Sequence, residues 1–531
     1  MNTFFQDKNG KPLLLTGLQA HNSSTGTHMI DRTIQAIRLF GGNVMEAPVY
    51  WYALEPKEGR FDMAHVRDLI LKAREAELYL IILWFGTNKN GHPNYVPDYI
   101  KLDPQKYQIV LAANGAPVPT LSPHCPATLE KDMRAFCELM RFLKEFDEDT
   151  GTVLAVQIEN ETGNSATDRD YSVAANADYA LPLPADLADV TLEDCGPCDG
   201  SATWRGHFGR HAHEAFSAWH HARFVEALAE AGRAIYDIPY FTNVMLGENK
   251  TEEAGLDYNS GGAVGRVLDI WKKAAPALDL LCPDIYHPER STYERVCRRY
   301  ARQDNALFIP ESSPSGDAFA LHMMIAMADY GAIGICGFGA ESTLNNDSSL
   351  TEQARKVALS MRAIRNIAPL LIRYRGTGKV YAIVQEEFAA YQYIQLDDYH
   401  VVAEFTSNNR RLHGLGSQIN LHNPENAHIL DDRGRGLLIQ TGEHEFYLAG
   451  AGLSVNFIRR PDPTDANPYP HLTSRFATQL NFLSVEEGHF EGDEWVVDYV
   501  RNGDESNFGL YVHEGQAVRI RLNPTVGADV I

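Results

Sequence analysis

The chain has no stretch approaching the roughly 20 uninterrupted apolar residues that a membrane-spanning helix needs, so no span is expected. It is also short of positive charge: 47 Lys and Arg stand against 70 Asp and Glu, a formal net charge of −23. Nucleic-acid binders need basic patches that release counterions from phosphate, so a nucleic-acid partner is not expected. A neutral, hydroxyl-rich ligand suits this balance better. Cysteine is scarce as well, with seven in 531 residues. An odd number, widely spread, argues against a disulfide framework. Neither a low-complexity tract nor a run of like charge signals disorder. The N-terminus, MNTFFQDKNGKPLLLTG, lacks a basic segment followed by an apolar one. As written the chain reads as cytoplasmic, and a periplasmic or secreted location would require a leader to have been removed. A length of 531 residues implies two or three domains.

One cysteine pair stands out, because Cys195-Gly-Pro-Cys198 spells a thioredoxin-type redox tetrapeptide. That motif works at a helix N-terminus directly after a buried strand. Here it follows LPLPADLADVTLED, a loop rich in Pro and Asp. A loop coincidence or a local disulfide is the expectation.

What is present is a repeated grammar over residues 1–375: a short apolar run, then an amphipathic helix. The runs are Pro12–Ala20, Asn43–Tyr50, Leu78–Gly86, Val153–Glu161, Pro239–Leu246, Asp279–Tyr286, Ala306–Glu311 and Ala332–Gly339. Near-continuous apolar runs are the pattern of strands buried on both faces in a parallel sheet. Between them, Val66, Leu69, Ile70 and Ala73 share a helical face behind Asp62, a candidate cap. Met133, Phe136, Cys137, Met140 and Leu143 form a second stripe, and Ala354, Val357, Ala358, Met361 and Ile364 a third. Eight alternating units predict a closed (β/α)₈ TIM barrel, an α/β fold. After the linker Arg375-Gly-Thr-Gly-Lys379 the pattern becomes short strands split by turn-rich clusters. The segments are Val380–Gln385, Ala390–Leu396, His400–Phe405, Gly436–Thr441, Glu445–Ile458, Trp495–Val500, Phe508–His513 and Ala517–Leu522. A β-sandwich over 376–531 is predicted.

In such a barrel the chemistry sits where strands end and βα loops begin. The run ends supply His21 and Asn22; Glu46, Tyr50 and Trp51; Trp84; Asn160 and Glu161; Asn243; Asp284 and Tyr286; Glu311; and Phe338 and Glu341. Aromatic faces, amides and carboxylates on one rim are the mixture that binds sugars. The long connections Thr87–Thr128 and Gly163–Phe216 are expected to wall the pocket. Glycoside hydrolysis needs two carboxyl groups flanking the scissile bond. Glu161 closes the fourth run and Glu311 the seventh, on opposite sides of a barrel mouth. Glu161 is therefore the candidate general acid/base and Glu311 the candidate nucleophile. Glu159 competes for the acid role, although strand alternation would place it a layer deeper on the same side. Asp284 is a weaker candidate nucleophile, with a structural role preferred. No metal-ligand cluster such as HExxH is present, and His220 and His221 are adjacent rather than four apart, so neither metal nor cofactor is expected.

At these residues the sequence resembles the family 35 glycoside hydrolases, in particular a bacterial β-galactosidase branch with an additional C-terminal β domain. The resemblance is carried by VQIENETG, APVYWYALEPKEGRFD, LQAHNSS, IILWFGTNKNG, YVPDYIK, LDIWKKAAPALDLLCPDIY, LFIPE and GRGLLIQTGEHEFYLAGAGLSVNF, collinear over nearly the whole chain. It implies a retaining, exo-acting enzyme that releases terminal β-galactose from oligosaccharides through a covalent galactosyl-enzyme. By resemblance Glu161 is the proton donor, Asn160 contacts the sugar 2-hydroxyl, Glu311 is the nucleophile and Tyr286 hydrogen-bonds it. His21, Asn22, Trp84, Asn243 and Phe338 fall in matching stretches near the galactose subsite. A core role remains open for His21, and plain packing for Trp84. The same fold could act on a β-glucoside, β-fucoside or α-L-arabinopyranoside, or bind carbohydrate without catalysis. The expected partner is a galactose-containing oligosaccharide, and a homo-oligomer is compatible with the sequence.

Overall fold

The computed structural model describes residues 5–24, 27–247, 249, 251–386, 389–405, 433–459, 482–502, 506, 510–512 and 515–524. Eight parallel strands form the barrel: β1 Leu15–Gln19, β2 Val44–Tyr50, β3 Tyr79–Lys89, β4 Val153–Asn160, β5 Tyr240–Met245, β6 Leu280–Asp284, β7 Phe308–Ile309 and β8 Gly334–Phe338. They pair in the order β6-β5-β4-β3-β2-β1-β8-β7. Between β6 and β7 there is no ladder, and a single parallel bridge, Ile285 to Ser312, closes the ring. The closure therefore falls beside two of the candidate carboxylates. Gly17 lets β1 approach β2, since a Cβ there would stand 1.9 Å from the Val44 carbonyl oxygen.

The apolar runs are continuous because each strand is covered twice. Leu15, Val44, Ile81, Leu83, Phe241, Leu280 and Phe308 belong to a cluster within the barrel. Leu18, Met45, Leu80, Ile82, Val156 and Leu281 belong to the cluster that includes the surrounding helices. The stripes Val66/Leu69/Ile70/Ala73 and Ala354/Val357/Ala358/Met361/Ile364 are buried as expected. The stripe of helix Pro126–Asp147 is shifted. Asp132, Ala135, Phe136, Leu139, Met140 and Leu143 are buried, whereas Met133 and Cys137 are only partly covered. An unforeseen hairpin, Ile109–Leu111 with Pro117–Leu121, occupies the first long connection.

The last barrel helix, Ala368–Tyr374, leads into two antiparallel sheets. Their strands are β9 Val380–Val384, β10 Tyr391–Gln395, β11 Tyr399–Phe405, β12 Arg435–Gly442, β13 Glu445–Ala451, β14 Leu453–Arg459, β15 Phe482–Glu491, β16 Glu494–Val500, β17 Leu510–Val512 and β18 Ala517–Leu522. One sheet runs β9-β12-β13-β18-β15-β16 and the other β10-β11-β14-β17. The expected segment Glu445–Ile458 is two strands broken at Gly452, whose φ is +67°. Strand β15 is an addition to the expected set, and Phe508 and His513 lie outside the described residues. The two sheets enclose a core of their own. Alternation explains the uninterrupted segment GLLI: Leu438 faces that core, while Leu437 and Ile439 join the barrel's cluster. Arg435 is buried in this junction. It donates to Ser360 Oγ at 2.9 Å and to the carbonyls of Lys356 and Arg433 at 2.7 and 2.6 Å.

Candidate active site

The barrel brings the ends of β4, β6 and β7 together as a cluster of three carboxyls. One oxygen each from Glu161, Asp284 and Glu311 lies within 4.8 Å of the others, and all three residues are buried. Two unit charges at that separation repel by about 3.5 kcal/mol at an effective dielectric of about 20. The three cannot readily be ionised together. The cation nearest at hand is Lys89, at the end of β3, which is 6% exposed and donates to Asn160 Oδ1 at 2.6 Å.

The three carboxyls have different surroundings. Glu311 accepts from Gln19 Nε2 at 2.9 Å, from Asn160 Nδ2 at 3.3 Å and from the Tyr286 hydroxyl at 3.0 Å. Burial, and then Glu311 itself, hold the Tyr286 proton on the phenol, so Tyr286 stays a donor. Burial pushes Glu161 up to about 7, the negative Glu311 adds to this, and Lys89 partly opposes it. Asp284 is raised well above the ordinary carboxylate range, chiefly by burial and then by Glu311 and Glu161. Asn243 ties the cluster together, accepting from the Glu161 backbone N–H at 3.0 Å and donating to Asp284 Oδ2 at 2.7 Å.

Glu161 sits in the left-handed region, with φ of 46°, and so does Glu159, with φ of 58°. Such conformations cost about 1–3 kcal/mol each and persist where surrounding contacts fix them. They also break strand alternation, which corrects the expected position of Glu159. Its carboxyl turns away from Glu161 and meets Asp132, accepting from the backbone of Thr87 at 3.0 Å and of Asn88 at 2.6 Å. Burial and the facing Asp132 raise Glu159, so a proton is retained between the two carboxyls. Gly86 makes room for the pair, since a Cβ there would stand 2.8 Å from Asp132 and 2.9 Å from Glu159.

The other candidates divide. Phe338 is paired in register with Gln19, which places it at the rim beside Glu311. The His21 ring meets the Phe338 ring edge-on at 5.2 Å and bonds Ser342 Oγ at 2.6 Å. Asn22 is partly buried, and its Oδ1 has no hydrogen-bond partner among the described residues. Trp84 is the exception to the rim arrangement. It is fully buried, donates from Nε1 to Asp132 at 2.9 Å and packs on Phe136, so it lies behind the strand rather than in the site. Glu341 is likewise taken up, accepting from the His21 backbone, Ser24 and Thr33 and thereby anchoring the loop after β1. Sequence reasoning misses Gln19 and Lys89 as members of the site and ranks Asp284 only as a weaker candidate nucleophile, with a structural role preferred. Gln19 and Lys89 do stand at strand ends, and that position is the available signal.

Among the described residues, two groups have ligand atoms close enough to share a metal ion: the three carboxyls, and His124 with Asp178 and His220. In the second group His220 is brought to His124, with ring centroids 4.1 Å apart, a convergence that helix spacing alone does not show. Cys195 and Cys198 are both free thiols, so of the two expectations, a loop coincidence or a local disulfide, the disulfide is not formed.

Comparison with known proteins finds a family model described as "Domain of unknown function (DUF5597)" over residues 358–513. A β-galactosidase of Xanthomonas manihotis is 28% identical over 199 residues, which cover 34% of this chain and 30% of that protein. β-Galactosidase 12 of Oryza sativa subsp. japonica is 24% identical over 193 residues, covering 34% of this chain and 19% of that protein. The similarity to these curated relatives thus spans under a third of their length. Among solved structures, the β-galactosidase of the psychrophilic Marinomonas ef1 aligns over 67% of this chain and 60% of its own, with 14% identity and a TM-score of 0.49.

Proposed function

We propose that this chain is a glycoside hydrolase that removes terminal β-galactose by a retaining double displacement. The observation that carries the reading is the approach of the Glu161 and Glu311 carboxylate oxygens to within 4.8 Å in one buried cluster. Retaining pairs stand about 5–5.5 Å apart, and inverting pairs about 6.5–9.5 Å to admit a water between them. Glu311, ringed by three donors, suits the nucleophile. Glu161, raised to about 7, suits a group that must give a proton and later take one back. In the first step Glu311 attacks the anomeric carbon while Glu161 protonates the departing oxygen. In the second, Glu161 takes a proton from water as it attacks the same carbon and releases galactose.

Local similarity to two β-galactosidases supports galactose over its epimers. His21, Asn22, Asn160, Asn243, Tyr286 and Phe338 are proposed to line the sugar site, whereas Trp84 packs behind the strand against Asp132 and Phe136. The reading divides the chain at 375/376 into a catalytic barrel and a sandwich that packs on its helices. The test is turnover of a panel of nitrophenyl glycosides. The β-galactoside should be cleaved fastest, and Glu311→Gly should be inactive until azide restores it with an α-configured azide product. Preference for another sugar would overturn the galactose assignment, and wild-type speed in Glu311→Gly would overturn the mechanism.

A further inference from the structure

We propose that Asp284 is a third working carboxyl of this site, a positioning residue held by Asn243 that hydrogen-bonds the Glu161 carboxyl and aims it. The inference rests on the glycosidase reading above and deepens it. Asn243 leaves little freedom. Its Oδ1 is committed to the Glu161 backbone N–H, so its Nδ2 is the end that donates to Asp284 Oδ2. The opposite oxygen, Asp284 Oδ1, is buried and receives no hydrogen bond among the described residues. A buried carboxyl oxygen without a donor is satisfied most simply by carrying a proton of its own.

The groups around Asp284 support that assignment. From β4 it faces Glu161 and from β7 Glu311, while Tyr286 and Cys282 share its own segment and the Lys89 cation approaches from β3. Two carboxylates and one cation can be accommodated; a third ionised carboxyl is opposed by burial and by both neighbours. Asp284 thus offers an O–H to Glu161. That donor stabilises Glu161 as a carboxylate, which it must become once it has protonated the leaving oxygen. Burial and Glu311 push Glu161 the other way, and Asp284 restrains the push. In this arrangement one helper oxygen steadies the carboxylate half of the acid/base cycle.

The experiment compares Asp284→Ala, which removes the donor, with Asp284→Asn, which keeps an N–H in its place. The readout is kcat/KM against pH on a nitrophenyl β-galactoside. In Asp284→Ala the basic limb, which reports Glu161 in free enzyme, should move to higher pH, with kcat/KM at its optimum reduced about 10–100-fold. In Asp284→Asn the limb should stay where the wild type has it, with activity partly restored. A downward shift would show that Asp284 was an anion, and an unmoved limb in Asp284→Ala would show a purely structural role; either overturns the proposal. Should Asp284→Ala not fold, infrared difference spectra of wild type against Asp284→Asn decide the matter. A protonated-carboxyl band at neutral pH that disappears in Asp284→Asn supports the proposal, and its absence refutes it. If wild-type protein cleaves no glycoside, the underlying reading fails instead, and the infrared result still stands alone.

Discussion

Replacing Glu161 with Gln should abolish turnover and, at neutral pH, make the protein more stable. Glu161 is buried with its carboxyl raised from 4.5 to about 7. A carboxyl raised in the folded state binds more protons folded than unfolded between those two values. Stability is therefore lost as pH climbs through that window, and the full penalty is present above pH 7. That rise corresponds to about 3 kcal/mol at about 1.4 kcal/mol per pH unit. Because Glu161 titrates with Glu311 and Asp284 beside it, part of that energy is shared, and about 2–3 kcal/mol is the expected gain. Gln keeps the shape and removes the charge. Thermal unfolding of wild type and Glu161→Gln at pH 7.5 and at pH 4.5 measures it. The variant should melt several degrees higher at pH 7.5, with the gap closing at pH 4.5. A variant that is less stable at pH 7.5, or a gap independent of pH, would refute the claim that Glu161 is a strained, buried acid.

Three further outcomes follow from the geometry. Tyr286→Phe removes one of the three donors to Glu311 and should lower kcat/KM about 10–100-fold on nitrophenyl galactoside, with the fold unchanged by circular dichroism. Trp84→Phe should leave KM for the galactoside unchanged while lowering the melting temperature, since it breaks the bond to buried Asp132, worth about 1–3 kcal/mol; a raised KM with unaltered stability would return Trp84 to the sugar site. Arg435→Met should cost about 1–3 kcal/mol for each buried acceptor it leaves unpaired, because it strips the hydrogen bonds to Ser360, Lys356 and Arg433 at the junction of barrel and sandwich, read as a lower melting temperature with kcat preserved in the folded fraction.

The barrel was legible because strands covered on both faces leave few polar interruptions, and all eight apolar runs became strands. Glu161 and Glu311 were legible because each ends such a run, and their meeting follows from the barrel's closure. What period-2 reasoning could not supply was the left-handed backbone at Glu159 and Glu161, which sends neighbouring carboxyls to different places. The Asp132 partner of Glu159 was hidden for a related reason: a buried acid in an apolar helical stripe looks like the stripe's edge. Trp84 was misplaced because alternation along β3 sends it to the helix side, where an aromatic and a buried acid await it. Lys89 was passed over because a strand-end Lys reads as solvent-facing, and Asp284 was ranked low because a strand-end Asp reads as structural. Their burial together is a property of the closed ring.

As the nucleophile, Glu311 becomes bonded to the sugar. Incubating the protein with a 2-deoxy-2-fluoro-β-galactoside bearing an activated leaving group, then mapping the adduct by peptide mass spectrometry, tests it most directly. One fluorogalactosyl group per chain is expected on the peptide holding Glu311. A label on Glu161 or Asp284, or turnover of galactosides with no adduct and an inverted product, would contradict it.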